Sequence, residues 1–213
     1  MIDYCDSIES YLERLFPLTR SITGEGFRQT LSIIENIIPL KVQSVASGTK
    51  AFDWTIPEEW NIKDAYVKNS KGDRVIDFQK SNLHIVNYST PIDQIMPLKE
   101  LQKHLHTLPE HPDWIPYRTS YYSKNWGFCL SQNDFIHLKE DDYHVVIDSA
   151  LKPGYLNYGE LFIPGQSDFE VLISTHACHP SLCNDNLSGI SLTAYLAKYL
   201  AKVPLRYSYR FLF

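Results

Sequence analysis

The run Ser174-Thr175-His176-Ala177-Cys178-His179-Pro180-Ser181-Leu182-Cys183-Asn184-Asp185-Asn186-Leu187-Ser188-Gly189 concentrates two histidines, two cysteines and an aspartate between an apolar strand-like stretch and an amphipathic helix. An imidazole from His176 at a strand end and a carboxylate from Asp185 nine residues later form a borderline-hard donor pair. Such a pair suits Zn²⁺, and also Mn²⁺ or Co²⁺. At the start of the following helix, Asp185 could accept from orphan backbone N–H groups with one oxygen and face a cation with the other. Three other chemistries use the same residues. Asp185 or Asn184 could simply cap the helix while His176 is satisfied at the strand end. His176, Cys178, His179 and Cys183 could form a closed structural Cys₂His₂ zinc site, although one short loop leaves little slack for four tetrahedral ligands. Cys178 could be a thiolate nucleophile assisted by a histidine, but no orienting third residue is marked.

The elements that must position these residues are legible around them. Val171 to Thr175 reads as a strand, about 186–201 as a helix burying Leu187, Ile190, Ala194, Ala197 and Ala201, and Tyr207 to Phe213 as a final apolar strand. Strand, helix, strand within about forty residues is a βαβ unit, which predicts a largely parallel sheet covered on both faces, with His176 at its carboxyl edge. Tyr155 to Phe162 reads as a further strand, joined to Val171 by a turn at Pro164-Gly165. At the other end, Ile8, Tyr11, Leu12, Leu15 and Phe16 keep helical spacing, and Phe27, Leu31, Ile34 and Ile38 mark a second helix stopped by Pro39. Lys41 to Ser47 alternates with period two.

The texture between about 48 and 149 differs. Short strand candidates recur at Asp64 to Lys68, Arg74 to Phe78, Leu83 to Tyr88, Trp126 to Leu130 and His144 to Asp148. Asn69 to Asp73 is a hairpin turn, and Leu98 to His106 is one short helix. Fourteen tyrosines and four tryptophans fit aromatic cross-strand pairs in this β-rich portion, with a carbohydrate-binding face as the alternative.

Composition excludes some classes. Twenty basic against twenty-five acidic side chains give a formal charge of −5, and no basic cluster marks a nucleic-acid or membrane partner. There is no signal-peptide pattern and no run long enough to span a bilayer. Four scattered cysteines suit a reducing, cytoplasmic setting, with Cys5 and Cys129 as ordinary buried thiols. His84, His104, His106, His111, His137 and His144 read as surface or packing residues.

Val171 to His176, followed by Asn184-Asp185-Asn186-Leu187-Ser188-Gly189 opening a helix, resembles the start of the co-catalytic zinc aminopeptidases of the M28 type. More specifically, Leu18 to Gly26 resembles the N-terminal signature of the bacterial DUF4910 aminopeptidase-like group, found near polysaccharide-biosynthesis genes. Phe52 to Trp60 and Leu83 to Pro91 resemble that group's inserted DUF2172 module.

The resemblance implies an α/β fold: a partial phosphorylase/hydrolase-like (zinc-peptidase) three-layer core with a mostly parallel sheet, at 1–47 and 150–213, interrupted by a β-rich module at 48–149. It implies that His176 binds one metal ion and that Asp185 bridges two. Cys178 stands where those peptidases carry the Asp of H-x-D, so His179 is the compensating outer partner or itself a ligand. Two zinc ions are expected in the complete protein, with hydrolysis of a peptide or amide bond in a small substrate. The family's Glu-Glu pair, a further Asp, a last His and a winged-helix domain lie downstream of its D-N-x-S-G turn. No general base is identifiable in this chain, which ends on Arg210-Phe211-Leu212-Phe213 with no polar tail. The expectation is therefore a C-terminally truncated protein with little peptidase activity of its own. The rival expectation is a non-catalytic glycan- or partner-binding domain on a peptidase fold.

Overall fold

The computed structural model describes residues 4–213, with side chains from Ile8 on; Cys5, expected to be buried, lies outside those side chains. In chain order the elements are α1 (Tyr4–Leu15), α2 (Glu25–Glu35), β1 (Lys41–Ala46), β2 (Lys50–Ala51), β3 (Trp54–Thr55), β4 (Glu59–Lys68), β5 (Arg74–Asp77) and β6 (Ile92–Pro97). There follow α3 (Leu98–Leu101), β7 (Leu105–His106), β8 (Phe128–Cys129), α4 (Gln132–Ile136), β9 (Asp142–Lys152), β10 (Tyr155–Ile163), β11 (Glu170–Ser174), α5 (Ser188–Leu200) and β12 (Ser208–Leu212). The chain divides into two compact units, 1–59 with 153–213, and 60–152.

In the first unit a four-stranded sheet runs β1-β10-β12-β11. The β11–α5–β12 segment is the expected βαβ unit, and β11 and β12 pair in parallel from Glu170↔Ser208 to Ser174↔Leu212. The sheet as a whole corrects the mostly parallel expectation. β1 and β10 pair antiparallel, as do β10 and β12. The βαβ argument reaches only the two strands its helix connects, whereas β10 arrives from the middle of the chain. Nor does β10 pair with β11 across Pro164-Gly165, since β12 lies between them.

The helices gather over one face of this sheet. Leu15 from α1, Phe27, Leu31 and Ile34 from α2, and Ile190, Ala194 and Ala197 from α5 form one apolar cluster with Phe211 of β12. On the opposite face Phe162 and Leu172 are exposed, flanking Arg210, whose guanidinium pairs with Glu170 at 2.6 Å and with Glu160. Among the described residues helices cover one face of this sheet and the other is wet, as antiparallel pairing permits.

Residues 48–59 pack with this unit. Gly48 N–H donates to Ile56 O at 2.8 Å, Ile56 N–H to Thr49 O at 2.9 Å, and Ser47 N–H to Gly154 O at 2.9 Å. These bonds tie the β2–β3 hairpin to the first sheet's entrance, twelve or so residues beyond the shift in composition.

The second unit holds a sheet of order β5-β4-β9-β6 and a small parallel pair, β7 and β8. Its core is aromatic as well as aliphatic. Trp60 is 2% exposed, stacks on Tyr88 with centroids 5.8 Å apart, and donates its indole N–H to Ser89 O at 2.9 Å. Two expectations are corrected. Leu83 to Tyr88 is no strand: Asn82–His84 is a 3₁₀ turn, and Ile85 makes a single bridge to Phe128. The helix expected over Leu98 to His106 stops at Leu101, passes through a 3₁₀ turn and ends in β7. Among the described residues no helix is long and apolar enough to cross a membrane.

Candidate metal centre

The site is built where β11 runs out. Thr175 still bonds as strand, its N–H donating to Leu212 O at 2.9 Å, and His176 follows on an irregular loop. That loop is pinned to the turn between α1 and α2. Ala177 is buried, Ser181 donates its hydroxyl to Phe16 O at 2.7 Å, and Arg20 reaches in from beneath. Arg20 is fully buried; its Nε donates to His179 O at 2.8 Å and its Nη1 to Leu15 O at 2.5 Å. Burial pulls this guanidinium down to about 10, with Cys178 and Cys183 opposing the shift. Gly26 lets the turn close: a Cβ there would lie 2.1 Å from Thr19 O.

The chain then turns into α5 through residues 183–187, where Asp185 (φ −129°, ψ 81°) and Asn186 (φ −148°, ψ 36°) are non-helical and their peptide bond is cis. This corrects the reading of Asp185 as a helix cap. α5 begins only at Ser188, and no side chain caps it. Asn186 instead spans the turn, donating its amide to Thr175 Oγ1 at 2.6 Å and to His176 O at 3.0 Å. Gly189 makes room for it, because a Cβ there would fall 2.1 Å from Asn186 Oδ1.

Freed from capping, the Asp185 carboxylate meets both imidazoles. Its Oδ1 lies 2.9 Å from His176 Nε2, and its Oδ2 lies 3.3 Å from His179 Nδ1. The two rings stand edge to face with centroids 4.8 Å apart. On the other side of His176, Cys178 Sγ is 3.8 Å from Nδ1. The side chains of His176 and Asp185 are about half exposed, at 48% and 61%, and His179 less so at 20%. Exposed His–Asp pairs contribute little to stability on their own, so the cluster is a poor structural staple, and its side chains remain open to solvent.

The structure thus brings together the three sequence-predicted residues His176, His179 and Asp185. It also places Cys178 among them: the ligand atoms of His176, Cys178 and His179 lie within 4.8 Å of one another. Cys183 is exposed and outside this group, which argues against a closed Cys₂His₂ site. Cys129 belongs to the second unit and is buried, with its thiol pushed up to about 12 by desolvation. Arg20 is the residue that pattern reading did not single out. Its motif, Leu18 to Gly26, carried a resemblance but no spacing that announces a buried cation beneath a loop some 150 residues away.

The DUF4910 family model, a domain of unknown function, matches residues 9–213. The chain belongs to the DUF4910 family. A Clostridium acetobutylicum protein named for polysaccharide biosynthesis and an aminopeptidase-like domain is 57% identical over 206 residues, covering 97% of this chain and 48% of that protein. A crystal structure of a Clostridium acetobutylicum protein assigned as a peptidase superposes with a TM-score of 0.95 at 57% identity, covering 98% of this chain and 49% of that one. This DUF4910 chain therefore spans about half the length of these relatives. A zinc aminopeptidase from Bacillus subtilis shares the fold at a TM-score of 0.63 and 12% identity, over 98% of this chain and 60% of that one. A peptidase M28 precursor from Shewanella amazonensis does so at 0.60 and 12%, over 98% and 62%. The fold is that of the M28 aminopeptidases.

Proposed function

We propose that this chain supplies ligands to a divalent-metal site in an aminopeptidase-like hydrolase that cleaves a peptide or amide bond. The observation that carries the reading is the Asp185 carboxylate, which offers one oxygen to each of two imidazoles. With zinc–ligand bonds of about 2.0–2.2 Å and tetrahedral angles, two donors on one ion stand roughly 3.3 Å apart. The His176–Asp185 and His179–Asp185 separations, 2.9 and 3.3 Å, lie close to that spacing. The donor set fits zinc, and a carboxylate with a different imidazole on each oxygen suits the bridging role in a two-ion site. Mn²⁺ and Co²⁺ would accept the same donors.

Bound metal would supply Lewis-acid polarisation of the scissile carbonyl. The chain's own residues orient the ligands. If His176 carries its proton on Nδ1, toward Cys178, its Nε2 lone pair is left facing Asp185. The thiol thereby takes the place of an outer carboxylate. Asn186 fixes the His176 backbone, and Arg20 fixes that of His179. The zinc aminopeptidase fold supports the assignment of metal, and the name of the 57%-identical relative supports a place in polysaccharide biosynthesis. In this reading the β-rich middle of the chain is the DUF2172-like insertion.

Calorimetric titration with Zn²⁺ tests the ligand set. Binding should be lost in His176→Ala and in Asp185→Ala, and retained in Cys183→Ser; retention in the first two would refute it. Hydrolysis of aminoacyl nitroanilides by the native gene product with Zn²⁺ should vanish in Asp185→Asn.

A further inference from the structure

We propose that the second unit carries a saccharide-binding cleft with Trp126 as its aromatic wall. The cleft has a volume of about 490 Å³, within the roughly 300–1,000 Å³ range of small-molecule sites. Gln94 and Met96 line it from β6, Glu100 from α3, His104 from the 3₁₀ turn that follows, and Trp126 from the loop before β8. The His104 and Trp126 rings lie flat on one another, with centroids 3.7 Å apart and planes 12° from parallel.

The wall is held rigidly by backbone. His104 Nδ1 lies 3.1 Å from Trp126 O, so that nitrogen donates and Nε2 is left as an acceptor. On either side of Trp126, Gly127 N–H donates to Ser89 Oγ at 3.2 Å, Val86 N–H donates to Gly127 O at 3.0 Å, and Thr90 N–H donates to Asn125 O at 2.9 Å. A ligand meeting this surface would not need to order it first, which favours affinity.

The chemistry around the wall selects a ligand class. A pyranose presents an apolar C–H face and a rim of hydroxyls, each able to donate and accept. The cleft offers aromatic and thioether surface beside an amide, a carboxylate and an imidazole acceptor. Gln94 and Trp126, whose amide and indole N–H groups can donate to hydroxyls, both line the cleft. No lysine or arginine lines the cleft, and Lys103 is already paired with Glu100 at 2.5 Å. That disfavours phosphorylated or carboxylated ligands and favours a neutral glycan.

The assignment stands apart from the metal site and is tested without it. The 213-residue chain in EDTA is titrated with neutral tetrasaccharides (β-1,4-glucose, α-1,4-glucose and β-1,4-N-acetylglucosamine) by ligand-observed NMR. At least one should bind with a Kd of about 1 mM or below. Gln94→Ala and Glu100→Gln, both at exposed positions, should each weaken it about fivefold, and Trp126→Ala about tenfold or more. Trp114→Ala is the control: that ring is 60% exposed, stacks on His111 and does not line the cleft, and its loss should leave binding unchanged. The proposal is overturned if no tetrasaccharide binds below about 10 mM. It is equally overturned if Gln94→Ala and Glu100→Gln leave affinity unchanged, if Trp114→Ala is as damaging as Trp126→Ala, or if a neutral tetrapeptide binds as tightly with the same variant sensitivity.

Discussion

Gly189→Ala should destabilise the protein only when Asn186 is present. A Cβ at 189 would lie 2.1 Å from Asn186 Oδ1, 2.8 Å from its Cγ and 2.9 Å from its Nδ2, so the whole amide must move. It would then lose its bonds to Thr175 Oγ1 and His176 O. At about 1 kcal/mol each, their loss costs about 2 kcal/mol. Alanine in place of glycine early in α5 returns up to about 1 kcal/mol of helix propensity, leaving a net loss of about 1 kcal/mol. Asn186→Ala alone should cost about 2 kcal/mol. In that background nothing blocks the new methyl group, so adding Gly189→Ala should stabilise by about 1 kcal/mol. The effect of one substitution thus reverses sign, a coupling of about 2 kcal/mol, readable from urea unfolding of the four proteins. Equal destabilisation by Gly189→Ala in both backgrounds would refute the argument that this glycine exists to seat Asn186.

Arg20→Met removes the charge-assisted bonds to His179 O and Leu15 O, about 1.5–3 kcal/mol each, but also relieves a buried cation whose pKa burial has lowered to about 10, roughly 3 kcal/mol of penalty. The midpoint of thermal unfolding should therefore move modestly while Zn²⁺ affinity falls clearly, because the His179 backbone loses its anchor; unchanged affinity would make Arg20 a packing residue only. Cys129 gives a pH test in the second unit. Its thiol is raised from 9.0 to about 12 in the folded protein, so an unfolded chain loses that proton first as pH rises. The stabilising effect is fully present below pH 9 and is lost as pH climbs toward 12, by about 2 kcal/mol at pH 10.5. Urea midpoints of the native protein and Cys129→Ala should converge over that range, and parallel curves would contradict the burial effect.

Local pattern made some of this structure legible in the sequence. Phe27, Leu31, Ile34 and Ile38 are spaced as a helix face and are all buried. Phe16 extends the α1 stripe in sequence but is 44% exposed, because the helix ends one residue earlier. The polar turn at Asn69 to Asp73 does join an antiparallel pair, β4 and β5. What failed depends on distant partners. Leu83 to Tyr88 reads as a short strand candidate, yet Val86 and Asn87 spend their N–H groups on Gly127 O and Arg118 O. Sheet direction outside the βαβ unit is likewise set by strands far apart in the chain. At the site, residue types and spacing pointed to His176 and Asp185, and the family resemblance added His179. The non-helical backbone at Asp185 and the buried Arg20 beneath the loop are tertiary features with no local signature.

Whether Asp185 and His176, rather than the cysteines, hold metal can be read from anomalous diffraction at the zinc edge in crystals grown with Zn²⁺. An ion within about 2.0–2.2 Å of His176 Nε2 and a carboxylate oxygen of Asp185 is the predicted result. An ion on Cys178 Sγ and His176 Nδ1, with Asp185 uninvolved, would contradict it.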